Sequence, residues 1–153
     1  EKYNLHNTIL EYAKSNKPLL GICLGMQILL TVSYEFGVHK GLGLIEGKVI
    51  KISNEKNKEI KIPHMGWNEI YPNNNKKEWK NKILKNSSIG KSFYFVHSFV
   101  CITKDYDSTI AVCNYSDISI PAVVVTGNVF GCQFHPEKSA DNGLAVLKNF
   151  CEI

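Results

Sequence analysis

The sequence lacks an apolar run long enough to form a membrane-spanning helix. Such a helix needs about 18 consecutive apolar residues. The longest candidate, Pro18 to Val32, is interrupted by Gly21, Gly25 and Gln27. The start of the sequence also lacks the pattern of a secretory signal. We therefore expect no contact with a membrane.

The five cysteines include no C-x-x-C pair, and their number is odd. Such a set is typical neither of a disulfide framework nor of a zinc site. Because reduced cysteines suit the cytoplasm, we expect a cytoplasmic protein, and we expect no metal or cofactor. Free cysteines usually pack as small apolar side chains, and only Cys23 lies in a context that indicates chemistry.

A strong excess of charge of one sign is absent as well. The net charge is +4, and it comes largely from lysines between Lys48 and Lys91. The sequence has neither a basic face interleaved with aromatic residues nor a nucleic-acid-binding motif. We therefore expect a solvated lysine-rich surface and no nucleic-acid partner.

The length and composition suit one globular domain, residues 1–153, with 44% hydrophobic and 21% charged residues. The sequence does not begin with methionine. It opens with Glu1-Lys2-Tyr3, directly in what is predicted to be a helix. We therefore expect that the domain is incomplete at its N-terminus.

The spacing of apolar residues predicts the order of helices and strands. Leu5 to Lys14 has helical spacing, Pro18 to Cys23 is typical of a buried strand, and Leu24 to Tyr34 predicts a helix that follows without a loop. The second half predicts four strands and a closing helix, at Phe93 to Val100, Ile110 to Tyr115, Ala122 to Thr126, Val129 to Phe134 and Gly143 to Phe150. This order indicates an α/β domain with a mixed sheet.

The strongest local signal is Gly21-Ile22-Cys23-Leu24-Gly25, which has the form G-x-nucleophile-x-G. A nucleophile at a tight strand-to-helix turn is lifted clear of the sheet. The N-terminus of the helix favours a thiolate. The backbone amide of Leu24 would then lie where an oxyanion forms. Without its flanking strand and helix, the same motif is also compatible with a buried cysteine in a glycine-rich turn.

A thiol nucleophile needs a base, and the base needs an acceptor that orients it. His135-Pro136-Glu137 follows the last predicted strand. Because residues two apart point the same way in an extended chain, Glu137 could reach the imidazole of His135. We therefore predict a Cys23–His135–Glu137 triad, although a loop histidine without a role is the usual reading of a lone histidine.

Two motifs together resemble the class I, or triad, glutamine amidotransferases: PLLGICLGMQ at 18–27 and GCQFHPEKS at 131–139. Three further stretches narrow the resemblance to the glutaminase subunit of imidazole glycerol phosphate synthase: PHMGWN at 63–68, YFVHSF at 94–99 and GLGLIEGKV at 41–49. The resemblance implies a three-layer, flavodoxin-like α/β fold with a mixed, mostly parallel sheet. By the same resemblance, we expect the first strands of that fold to be missing from this sequence.

The resemblance also implies the reaction, which is hydrolysis of glutamine to glutamate and ammonia. Cys23 would attack the side-chain amide, His135 would protonate the leaving ammonia, and Glu137 would orient the imidazole. The glutamine pocket implied by the resemblance consists of Gly25, Gln27, His97, Ser98 and Phe99, where the family often has tyrosine in place of Phe99. Two open alternatives are that Gln27 only packs the helix and that His97 is a satisfied core residue.

In this family the ammonia passes to a (β/α)8-barrel synthase subunit, with which the glutaminase forms a heterodimer. By the resemblance, the surface facing that partner includes Met65, Trp67, Asn68, Tyr94 and Lys138. The family's segment before the first match supplies a second oxyanion amide, whose loss would cost about 10²–10³-fold in rate.

Other functions stay open on sequence grounds. A related branch supplies ammonia for an amidino group on a surface sugar, and Thr31 to Gly43 has some similarity to it. A non-catalytic docking subunit, a cysteine hydrolase of another amide and a redox thiol protein are further alternatives. The sequence offers no resolving cysteine near Cys23 for the last of these.

Overall fold

The computed structural model describes residues 5–53, 60–73, 78–79 and 81–153. The opening residues 1–4, predicted to begin a helix, lie outside this part. The helices are α1 (Leu5–Lys14), α2 (Leu24–Ile28) and α3 (Ala140–Cys151). Short 3-10 turns span Lys82–Leu84, Tyr106–Ser108 and Pro136–Lys138. The strands are β1 (Leu19–Ile22), β2 (Leu30–Ser33), β3 (His39–Lys40), β4 (Ile45–Lys51), β5 (His64–Pro72), β6 (Ser92–His97), β7 (Phe99–Thr103), β8 (Thr109–Tyr115), β9 (Ile118–Thr126) and β10 (Val129–Cys132).

The strands form two sheets. The larger has the order β1-β10-β9-β8-β5-β6, and the smaller has the order β3-β2-β4-β7. Within the described residues, two strand pairs are parallel, β1 with β10 and β2 with β4, and six are antiparallel. The predicted mixed character is therefore confirmed, whereas "mostly parallel" is wrong for this part of the chain. Consecutive strands such as β8, β9 and β10 are joined by short turns, and short turns permit only antiparallel pairing.

Alternate residues of β9 and β10 face two separate hydrophobic clusters. Phe130 packs in the cluster that contains Val146 of α3. Val124 and Val129 pack in the other cluster, with Met26 of α2 and residues of the smaller sheet. The larger sheet is thus covered by α3 on one face and by α2 with the smaller sheet on the other. This is the three-layer α/β arrangement that was expected.

The helix predicted from Leu24 to Tyr34 is much shorter in the structure. It ends at Ile28, and Leu30–Ser33 forms β2. β-branched Thr31 and Val32 favour a strand. β2 also pairs with β3 and β4, which supplies the backbone hydrogen bonds that a continuing helix would have made.

The strand predicted from Phe93 to Val100 is divided at Ser98. The part before it, β6, belongs to the larger sheet, and the part after it, β7, belongs to the smaller one. The Ser98 carbonyl accepts a hydrogen bond from the amide of Ile52 at 2.9 Å. Residues 97–99 therefore lie at the junction of the two sheets. Within the described residues, no helix has the length and apolar character to cross a membrane.

Candidate active site

Cys23 lies at the turn between β1 and α2. Its backbone has φ 50° and ψ −106°, a left-handed conformation that is uncommon for a residue with a side chain. The Cys23 amide donates to the Cys132 carbonyl at 2.8 Å, and its carbonyl accepts from the Gln27 amide at 3.2 Å. The strained turn is therefore fixed from both sides, by the neighbouring strand and by the first turn of the helix.

The parallel pairing of β1 with β10 brings the predicted base to the same edge as the nucleophile. Ile22 is paired with Cys132, so Cys23 follows one strand end directly and His135 follows the other by three residues. The carboxyl ends of adjacent parallel strands meet at one edge, where open α/β sheets bind ligands. Glu137 follows His135 by two residues, and the charge of its carboxylate raises the pKa of the Cys23 thiol.

His135 is held by its side chain and by its backbone. Its Nδ1 lies 2.7 Å from Glu137 Oε1. Its amide donates to the Tyr94 carbonyl at 2.9 Å, and its carbonyl accepts from Ser139 Oγ at 2.6 Å. The contact between His135 and Glu137 is made across the 3-10 turn Pro136–Lys138, rather than along the extended backbone that was predicted.

The charges around Glu137 keep its carboxylate ionised. Its slight burial raises the pKa of the carboxyl group, but the hydrogen bond from His135 and the charges of His135 and Lys138 lower it further than burial raises it. The pKa of Glu137 therefore lies below its ordinary value. Because Glu137 accepts at Nδ1, the Nε2 atom of His135 is left to exchange protons with a reacting group.

The thiol of Cys23 differs from the expected thiolate. Burial raises its pKa, the backbone amide of Leu24 and the side chain of Gln133 lower it, and the charges of Glu137 and Glu35 raise it again. The net result is a pKa above the ordinary value. The start of α2 does favour the thiolate, through the Leu24 amide, but in the resting site burial and two carboxylates outweigh the two hydrogen-bond donors.

Two residues near the sulfur were not predicted from the motifs. Gln133 Nε2 lies 3.8 Å from Cys23 Sγ, and Glu35 acts on the thiol through its charge. Gln133 could have been noticed as a polar amide within the otherwise apolar stretch that ends β10. Glu35 lies in the turn after β2, and nothing local in the sequence indicated that this turn approaches Cys23.

The predicted glutamine-pocket residues are arranged around the sheet junction. Gly25 lies in the first turn of α2, directly after exposed Leu24. Gln27 is buried, and its Nε2 donates to the Phe99 carbonyl at 3.1 Å and to Gln133 Oε1 at 3.2 Å. The donors of the Gln27 amide are therefore used inside the protein. Ser98 and Phe99 are half-buried.

His97 is a buried member of a hydrogen-bonded pair of imidazoles. Its Nδ1 lies 2.8 Å from the Phe99 carbonyl and its Nε2 lies 2.9 Å from Nδ1 of His64. The His64 Nε2 lies 2.8 Å from Oδ1 of Asn68. Burial lowers the pKa of His97 to about 4, although the hydrogen bond with Phe99 opposes this. A chain of contacts thus runs from β5 to residues 97–99.

This buried pair predicts a loss of stability in mild acid. The pKa of His97 is about 4 in the fold and 6.5 in the unfolded chain, so the unfolded state binds the proton first as the pH falls. The stabilisation is complete above the unfolded value and is lost progressively towards pH 4. Between about pH 7 and pH 5 we expect a loss of about 2 kcal/mol, measured by urea unfolding.

The His97→Asn variant should show a pH dependence weaker by about that amount, because it removes the titrating group. The matched control is His6→Asn, which removes an exposed histidine of α1 instead of the buried one. Equal losses in His97→Asn and in the parent would contradict the assignment.

Four of the five predicted interface residues lie together. Met65 and Trp67 project from one face of β5 and are 60% and 52% exposed. Tyr94 of β6 lies opposite Trp67, and the centroids of the two rings are 6.0 Å apart. Exposed Lys138 lies in the 3-10 turn that contacts β6. Asn68 points to the other face, where it contacts His64.

A metal-binding cluster is not found in the part of the chain that the structure describes, where no group of three or more His, Cys, Asp or Glu could hold an ion. All five cysteines lie in that part, and all are free. The reactive side chains that follow the ends of β1 and β10 are a thiol, an imidazole and a carboxylate.

Comparison with known proteins agrees with this geometry. The family model described as glutamine amidotransferase class-I matches residues 2–153. The chain belongs to this family. Its membership confirms the resemblance that the motifs indicated.

Named relatives of this amidotransferase narrow the comparison. Imidazole glycerol phosphate synthase subunit HisH 1 of Legionella pneumophila (strain Lens) is 43% identical over 152 residues, which is 98% of this chain and 71% of that protein. Subunit HisH of Wolinella succinogenes is 47% identical over 150 residues, 97% of this chain and 70% of that protein. Subunit HisH of Lactococcus lactis is 45% identical over 152 residues, which is 99% of this chain and 70% of that protein.

Solved structures support the amidotransferase fold. A glutamine amidotransferase from Thermotoga maritima superposes with a TM-score of 0.59 at 20% identity, over 99% of this chain and 54% of that one. The glutaminase domain of the Trypanosoma brucei protein CTPS gives a TM-score of 0.58 at 18% identity, over 94% and 64% respectively. The chain thus spans less than two thirds of each of these two structures.

Proposed function

We propose that this chain is the glutaminase subunit of imidazole glycerol phosphate synthase, which hydrolyses glutamine and supplies ammonia for histidine biosynthesis. The observation that supports the proposal is that Cys23 follows β1 directly and that His135, bonded to Glu137, follows the end of β10 by three residues, at the carboxyl ends of two adjacent parallel strands. Relatives that carry the name of this subunit at 43–47% identity support the pathway. They do not favour the surface-sugar branch or a docking subunit without activity.

In the first half of the reaction, Cys23 attacks the carbon of the glutamine side-chain amide. His135 takes the thiol proton at Nε2, and a carbon–sulfur bond forms. The amide of Leu24 donates to the oxyanion that develops. The carbon–nitrogen bond then breaks, and the imidazolium returns its proton to the leaving nitrogen, which departs as ammonia.

In the second half, water replaces the sulfur. His135 removes a proton from the water, the oxygen attacks the thioester carbon, and the carbon–sulfur bond breaks. Glutamate leaves, and the sulfur recovers its proton from the imidazolium. Because the resting thiol has a raised pKa, proton removal by His135 is a necessary part of the first step.

The substrate is held at the junction of the sheets. Residues 97–99 adjoin the turn that bears Cys23, since Cys23 Sγ lies 3.8 Å from the carbonyl of Val96. The family resemblance assigns the amino-acid end of glutamine to this stretch. The carboxylate of Glu35, which acts on Cys23 through its charge, is of the sign that attracts the α-ammonium group of an amino-acid substrate.

The partner is a (β/α)8-barrel synthase subunit, and the exposed face of β5 and β6 is the surface that meets it. Met65 and Trp67 are exposed apolar side chains of types that are enriched at interfaces, and exposed Lys138 lies in the 3-10 turn that contacts β6. The same strand β6 contacts both catalytic segments, because its Val96 and Tyr94 carbonyls bond Cys23 and His135. The strand β6 therefore links the two catalytic segments to the face proposed for the partner.

The protein acts in the cytoplasm as a single glutamine amidotransferase domain. The five free cysteines suit a reducing compartment. The packing of α3, α2 and the smaller sheet against the two faces of the larger sheet supports the single-domain part of the proposal.

The experiment mixes the protein with the synthase subunit of the histidine pathway. Glutamate release is followed with and without the nucleotide substrate of the synthase. We expect the nucleotide to stimulate glutamate release strongly, because the two active sites of the proposed complex are coupled through the interface that the subunits share. Trp67→Ala should weaken the stimulation, since it removes the largest exposed side chain of the interface face. Exposed Tyr106→Ala is the matched control.

Two outcomes would overturn parts of the proposal. If Cys23 is labelled by a glutamine-mimicking electrophile but the synthase gives no stimulation, the partner assignment is wrong. If glutamine does not protect Cys23 from that label, the substrate assignment is wrong.

A further inference from the structure

Gln133 is a fully buried polar residue directly after β10. Its backbone amide donates to the Ala122 carbonyl at 2.9 Å, which extends the sheet by one residue. Its side chain turns towards the nucleophile, with Nε2 3.8 Å from Cys23 Sγ. A buried side-chain amide away from solvent is costly unless its polar atoms are bonded, so this placement requires specific partners.

The hydrogen bonds fix which end of the Gln133 amide faces the sulfur. The Phe99 carbonyl can only accept, so it draws the NH₂ group of Gln27 towards itself at 3.1 Å. The same NH₂ group donates to Oε1 of Gln133 at 3.2 Å. With its oxygen engaged there, Gln133 must turn its own NH₂ group to Cys23. A reversed amide would place two donors against each other.

We propose that Gln133 is a positioning residue for the nucleophile: its amide, oriented through Gln27 by the Phe99 carbonyl, donates a hydrogen bond to the Cys23 sulfur and stabilises the thiolate. The inference rests on the proposed role of Cys23. It adds a residue that acts on the nucleophile rather than on the substrate.

Several other groups act on the same sulfur. The Leu24 amide assists it, whereas the carboxylates of Glu137 and Glu35 oppose its ionisation. Buried Cys132 and Cys101 also interact with it electrostatically, and His135 lies at the same sheet edge. Among the residues that the structure describes, the Gln133 donor is one of two contributions that lower the pKa of Cys23, against two carboxylates that raise it.

The test is the alkylation of Cys23 by iodoacetamide, in which the thiolate sulfur displaces iodide and forms a carbon–sulfur bond. The rate follows the thiolate fraction, so its dependence on pH reports the thiol ionisation. The protein carries Cys151→Ser to remove the exposed cysteine. Modified Cys23 is quantified by mass spectrometry over a range from about pH 6 to about pH 11, so that an upward shift of a midpoint that is already raised stays within the range.

Two variants remove the donor with different shapes, Gln133→Met and Gln133→Leu. We expect each to shift the midpoint of alkylation upward by about one pH unit and to slow the reaction at neutral pH about tenfold. Gln27→Met keeps the NH₂ group of Gln133 but removes the hydrogen bond that orients it. The midpoint of alkylation in this variant should therefore lie between those of the parent and of Gln133→Met. The matched control is Asn149→Leu, which removes a buried amide bonded to the Ile83 and Lys85 carbonyls and should leave the profile unchanged.

The outcome separates positioning from packing. If either Gln133 variant folds and keeps the parental midpoint, Gln133 only fills space and the inference is wrong. Because the alkylation needs no glutamine, this result is independent of the proposed reaction. Protection of Cys23 by added glutamine, measured in the same samples, tests the proposed function separately.

Discussion

Replacing Cys23 by alanine will lower glutamine hydrolysis by roughly 10⁴-fold or more, the scale of losing the nucleophile from a catalytic triad. The other buried cysteines offer no substitute, because burial raises the pKa of the Cys113 thiol to about 12 and raises that of Cys101 and Cys132 as well. The measurement is glutamate release in the presence of the synthase and its nucleotide. Cys113→Ala is the matched control and should keep its activity, since it removes only an inert buried thiol.

The same assay tests whether Cys23 and His135 act as one unit. His135→Asn alone should cost roughly 10³-fold or more, and the double variant should be no slower than Cys23→Ala. Once the nucleophile is gone, removal of the base should slow the residual reaction little further. Multiplicative losses in the double variant would show that the two residues act independently, and the proposed triad would then be wrong.

The sequence predicted the local features of the site more reliably than their surroundings. The turn at Cys23 and the segment around His135 were predictable because strand, glycine and proline signals lie beside them in the chain. The end of α2 at Ile28 was not predicted, because the apolar spacing continues past it and the preference of Thr31 and Val32 for a strand is weak. Only the pairing of Leu30–Ser33 with β4, fifteen residues further on, decides the outcome.

Non-local packing also explains the residues that were missed. The contact of Gln133 with the sulfur depends on the register of β1 with β10, which places Ile22 opposite Cys132. The raised pKa of Cys23 depends on burial and on Glu35, a residue that follows a strand of the other sheet. Neither feature is encoded by spacing within a motif, since each depends on segments brought together by the fold.

Alanine at the two glycines that flank Cys23 should have opposite effects on stability. A Cβ atom at Gly21 would lie 2.6 Å from the backbone carbonyl carbon and oxygen of Gly25 and 2.7 Å from the amide of Met26. A Cβ atom at Gly25 would have no atom within 4 Å. Gly21 thus lets α2 pack directly on β1, whereas the space around Gly25 would admit a larger side chain.

Gly21→Ala should therefore lower the free energy of unfolding by about 3 kcal/mol, because rigid backbone must move to admit the methyl group. It should also lower glutamine hydrolysis by about 10²-fold or more, since the displaced turn carries the nucleophile. Gly25→Ala should leave the free energy of unfolding unchanged or raise it by up to about 1 kcal/mol, because alanine is favoured over glycine within a helix.

Urea unfolding of both variants measures the contrast, and it is independent of any contact that Gly25 makes with glutamine. Gly131→Ala provides an intermediate case on the paired strand. Its Cβ atom would meet the side chains of Met26 and Val124 at 2.7 and 3.0 Å, and a flexible methionine can move where a backbone cannot. The expected order of stability is Gly25→Ala, then Gly131→Ala, then Gly21→Ala. Equal stability of the first and last would mean that the close approach of α2 to β1 does not hold the nucleophile turn in place.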